Sequence, residues 1–192
     1  MRVAGQRSWR FTTGSSEELH FALYVRDALG LPIHLSEPWH VPRVLGGATD
    51  RSALCQGYGQ PALASAWQLW FSALIATPSY ELPADYLADS LIAELFGEIR
   101  PDFMRWFAPR VIAAAGETRS LDQWRLFRDA AVAAASQRKV PVETLEADTQ
   151  LLFVEGVWWH QPRRGWLLYS PALTADHAQF SERLQATFAS SV

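Results

Sequence analysis

At 192 residues, with 49% hydrophobic and 19% charged side chains, the chain is long enough to bury one core without a metal or a disulfide. A net charge of −3 and a pI near 5.9 give no basic footprint for nucleic acid or an anionic membrane, and both partner classes are excluded on that ground.

Alternation of Trp9 and Phe11 with Ser8 and Arg10 predicts a short strand over residues 7–12. Ser15 followed by Glu18 has the spacing of a capping box and starts a helix carrying Leu19, Ala22, Leu23 and Leu29 inward. Gly30 and Pro32 stop it. Residues 31–60 contain too many prolines and glycines for a regular element, and an irregular stretch of that length is where a site is first sought. Pro61 suits the first helical position of a segment reaching Ala76, whose only polar stripe is Ser65, Gln68 and Ser72. That apolarity predicts a central helix, buried on most sides, and a span too short to cross a bilayer.

A third helix is expected over 83–97, and a fourth opens at Pro101, is kinked or split at Pro109 and closes at Gly116. A fifth, over 121–138, repeats Trp124, Phe127, Ala131 and Ala134 on its inner side. Beyond Pro141 the period changes to that of a strand. Residues 150–160 and Trp166–Ser170 flank the turn Gln161-Pro162-Arg163-Arg164-Gly165, with Gly156 a place for a bulge or a second turn. A last helix over 175–189 presents Phe180, Leu184 and Phe188. The expectation is one α+β domain over 1–192: a helical body over 15–139, then an antiparallel β-hairpin or small meander with a terminal helix over 148–190. Residues 7–12 add an edge strand.

The nine tryptophans are the richest signal. Alternation places Trp158 and His160 on one strand face and Trp159 on the other, so one indole looks outward unless something covers it. With Arg163, Arg164 and Trp166 they form a Trp/Arg-rich surface of the composition found at protein contacts. The irregular segment offers a second candidate, in which His34, His40, Asp50, Cys55 and Tyr58 would line a small-ligand pocket. The spacing of His34, His40 and Cys55 matches no zinc pattern, and no phosphate-binding glycine loop or nucleophile elbow is present. Neither a metal nor a cofactor is therefore expected. The carboxylate pairs Asp85/Asp89 and Glu94/Glu98 read as a solvated helix face.

Cys55 is the only cysteine and the first residues lack an apolar leader, which together predict a cytoplasmic protein. Lys139 is the only lysine among 17 cationic residues, the usage of GC-rich bacterial coding. The functional expectation is a non-catalytic protein that recognises another protein, or itself, as an adaptor, immunity-type or chaperone-like binder. The alternative is an enzyme or small-ligand binder using the 31–60 segment.

Overall fold

The computed structural model describes residues 9–32, 40–77, 79–82, 86, 92–117 and 121–192. They form a mainly helical α+β fold. The chain divides into two compact units: Ser15–Ile112 with Leu152–Glu155, and the described residues of Met1–Gly14, Ala113–Leu151 and Gly156–Val192.

In the helical unit, α1 spans Glu17–Ala28, and the Ser16 side chain accepts a hydrogen bond from the Leu19 N–H. The cap thus falls one residue later than the Ser15–Glu18 spacing implies, and Glu17 and Glu18 still face the positive helix end. Gly30 follows at φ +60°, a left-handed position that glycine adopts without steric cost. Helix α2, Gln60–Ala76, is entered through Pro61 and buries Leu63, Trp67, Trp70, Phe71 and Leu74. It is less enclosed than its composition suggests. Ala62, Ser65, Leu69, Ser72 and Ala76 make an exposed stripe, and Leu69 is 71% exposed. The Trp67 indole N–H donates to the Ala22 carbonyl of α1 at 2.6 Å.

Most of the helix expected over 83–97, including Asp85 and Asp89, lies outside the described residues. A 3-10 turn, Ala93–Leu95, leads into α3, Phe96–Glu117, with both Pro101 and Pro109 inside it. Neither proline opens or splits a helix. Each removes the N–H that would bond the carbonyl four residues back, at Gly97 and Arg105. Both residues are exposed, so water can satisfy those carbonyls. Phe21, Tyr24, Trp70, Phe96, Phe103, Trp106 and Phe107 form a continuous ring-packed core. Leu152–Glu155 joins it, with Val154 in an antiparallel bridge to Val44.

In the second unit β1 is Arg10–Gly14, α4 is Leu121–Arg138 and β2 is Glu146–Leu151. Then come β3, Trp159–His160, β4, Trp166–Tyr169, α5, Pro171–Ala175, and α6, His177–Ser190. The sheet order is β1-β2-β4-β3. The antiparallel hairpin is β3 with β4, as the turn residues predict, while β2 runs parallel to both β1 and β4. The strand expected over 150–160 is divided. It ends at Leu151 and resumes at Trp159, beyond Gly156 at φ +71°. Phe11, Ala147, Leu151, Leu167 and Tyr169 pack against Phe127, Ala131 and Ala134 of α4 and Phe180, Leu184 and Phe188 of α6. Trp124 departs from its expected inward position: it is 55% exposed, lying beside Trp9 with ring centroids 6.3 Å apart.

Candidate functional site

Strand register decides which side chains of the hairpin act together. Trp159 pairs with Tyr169 and His160 with Leu168. Trp158, His160, Trp166 and Leu168 therefore share the sheet face opposite Leu167 and Tyr169. Two serines hold this geometry. The buried Ser170 hydroxyl donates to the Gly156 carbonyl at 2.8 Å and accepts from the Trp158 N–H at 3.0 Å, fixing the approach to β3. Ser190, at the end of α6, accepts from the Gly165 N–H at 3.0 Å and the Gln161 amide at 2.6 Å, fixing the arginine-bearing turn. At Gly165, φ is +71° and a Cβ would lie 3.2 Å from the Glu146 carbonyl, so glycine is required on both counts.

On that frame the Arg163 guanidinium lies 3.3 Å from the centroid of the Trp166 ring. The Trp158 and His160 rings are stacked at 6.3 Å. His160 is buried, and desolvation lowers its pKa. Arg164 projects into solvent. Asp148 of β2 stands opposite Trp166. Partial burial raises its pKa, while the Gln150 amide, 3.1 Å away, and the Arg163 charge pull the other way. A cleft of about 380 Å³ opens beside these groups, lined by Arg10, Thr12, Glu146, Asp148, Arg164 and Trp166. Its chemistry is aromatic contact plus charge of both signs.

All five hairpin residues thus fall on one sheet face or its turn, where Arg164 is exposed, Trp158, Arg163 and Trp166 are half-buried and His160 is buried. Trp159 points to the other face, where Arg183 of α6 lies 4.2 Å from its ring. Asp148 was missed by sequence reasoning, because Glu146-Ala-Asp-Thr-Gln-Leu lacks the β-branched and aromatic content that marks a strand.

The second candidate set is scattered within the helical unit. His40 and Asp50 line one concavity of about 740 Å³, together with Arg26, Asp27 and Arg43. His34 lies outside the described residues. Cys55 is buried, its thiol directed at the Leu29 carbonyl at 3.5 Å, and desolvation raises its pKa. Tyr58 donates to Glu94 at 2.8 Å. The Asp50 carboxylate accepts from the Ser52 N–H at 2.8 Å, which lowers its pKa. Arg26 and Asp27 organise this wall, and sequence reasoning did not single them out. Arg26 donates to the Val41 and Pro42 carbonyls at 2.8 and 2.7 Å, and Asp27 accepts from the Val44 N–H at 2.6 Å. Among the described residues no three His, Cys, Asp or Glu side chains converge as a metal site. Nor is any described helix long and apolar enough to cross a membrane.

No family model, curated protein or solved structure matches the chain.

Proposed function

We propose that the chain is a non-catalytic binding protein that recognises another protein through the Trp158, His160, Arg163, Arg164 and Trp166 surface, in the manner of an adaptor, immunity or chaperone protein. The observation that carries the reading is the Arg163–Trp166 stack at 3.3 Å, on a hairpin anchored at both ends by serine hydroxyls. A preorganised arginine and indole lose little freedom on association, which is what makes these residue types effective contact anchors. Retention of a stoichiometric partner from host lysate by the wild type, and its loss with Trp166→Ala and with the Arg163→Ala/Arg164→Ala pair, is the expected result. Folded variants that hold the same partner undiminished would sink this choice of surface.

A second reading, a small-ligand binder, is favoured by the concavity beside His40 and Asp50. Its test is a ligand screen by thermal shift, in which any stabilisation must vanish in His40→Ala.

A further inference from the structure

We propose that β1 is the pairing edge of a symmetric dimer, in which a second copy of this chain adds its own β1 antiparallel across a dyad at Thr12. The argument begins with backbone parity. The Arg10 N–H donates to the Leu145 carbonyl at 3.0 Å, so Arg10, Thr12 and Gly14 turn their backbone groups toward β2. Those of Phe11 and Thr13 therefore point away from the sheet. An antiparallel copy centred on Thr12 puts Phe11 opposite Thr13 of the other chain, twice. Both are hydrogen-bonded pairs, with Thr12 facing Thr12 as the close pair between them. Arg10 then faces Gly14 rather than another arginine. β1 itself holds no proline and no lysine, and one exposed charge, Arg10.

A second observation, on α4, stands independently of the strand. Phe11 packs on Phe127 at 4.0 Å and Trp9 lies by Trp124, so α4 covers the β1 side of the sheet. Gln137 and Phe127 turn toward α6, where Gln185 and Phe180 meet them. Trp124, Arg128 and Val132, at i, i+4 and i+8, lie on the flank of α4 away from α6, and both apolar members are more than half exposed. At about 3.3 Å per strand residue and 1.5 Å per helix residue, the dyad at Thr12 falls near Arg128 and Asp129. Two copies of α4 then run antiparallel, with Arg128 of each near Asp129 of the other. Indole and valine supply the apolar contact. Pairing of edge and helix together closes a surface that neither completes alone.

The test is sedimentation of the full chain at tens of micromolar, with Thr13→Pro, Thr13→Ala and Trp124→Glu beside the wild type. The wild type is expected at twice the 21.6 kDa chain mass. Proline at 13 removes an N–H that β2 does not use, so it gives a folded monomer, whereas Thr13→Ala remains dimeric. Trp124→Glu weakens association at least tenfold with an unchanged circular dichroism spectrum. Hydrogen exchange supplies a readout free of mutation: the Phe11 and Thr13 amides gain protection as concentration rises. A monomeric wild type overturns the proposal. A dimer indifferent to both Thr13→Pro and Trp124→Glu overturns it equally.

Discussion

His20 makes the helical unit sensitive to acid, and the size of the effect follows from its surroundings. Its ring is 1% exposed, among Trp106, Phe107 and Phe153. Nδ1 lies 2.6 Å from the Ser16 carbonyl and Nε2 accepts from the Phe153 N–H at 3.0 Å. Nδ1 must therefore carry the proton, and a second proton on Nε2 would face the Phe153 donor. Burial lowers the pKa from 6.5 to about 4. The unfolded chain takes up a proton at this site as pH falls through 6.5 and the folded chain does not. Stability attributable to His20 is thus intact above 6.5, declines by about 1.4 kcal/mol per pH unit below it, and levels off near pH 4. The total loss is about 3 kcal/mol. Urea unfolding from pH 7.5 down to the acid limit, compared with His20→Gln, measures it directly. Glutamine can accept from Phe153 and donate to Ser16 without titrating, so the variant loses the slope that the wild type shows in this window. Parallel stability–pH curves for the two proteins would refute the assignment of the slope to this ring.

Other expectations test the remaining structure. Ser190→Ala leaves the Gly165 N–H and the Gln161 amide without their shared acceptor and costs about 1–3 kcal/mol, with the loss of amide protection concentrated in the 161–165 turn. Lys139 follows the end of α4 at φ +56°, so Lys139→Gly raises stability by about 1 kcal/mol in thermal or urea unfolding, despite removing the only lysine. Cys55, buried with a raised pKa, resists alkylation at mildly alkaline pH in the native protein and reacts at the rate of a free thiol in urea. Rapid native labelling would revive a chemical role for that thiol.

What the sequence reveals and what it hides divide along the line between local and distant interactions. Helices α2, α4 and α6 are legible because each carries its own period and its own stops: Pro61, the Trp124–Ala134 repeat, and Phe180, Leu184 and Phe188. The hairpin is legible from its turn. Strand β2 is not, because its partner β1 lies more than a hundred residues away in the chain and nothing in Glu146–Leu151 announces a central position. Asp148 is hidden with its strand, and only the register with Trp166 reveals it at the candidate site. Pro101 misleads for a different reason. The rule against proline in a helix assumes a carbonyl that must be satisfied from within, and α3 turns its proline side to solvent. In the 31–60 segment, polar residue types alone made five positions look alike. The partners of Cys55 and Tyr58 separate them from His40 and Asp50.

The four residues Leu152–Glu155 impose an order on biosynthesis. Phe153 supplies the donor that His20 awaits, and Val154 the bridge to Val44, yet both leave the ribosome long after the helices they complete. A nascent chain halted at Ile112 has an unmatched imidazole nitrogen among its aromatic rings. Closure of the earlier-made helices is therefore postponed until Glu155 has been added, and a synthetic peptide spanning those four residues is expected to complement the shortened fragment in trans.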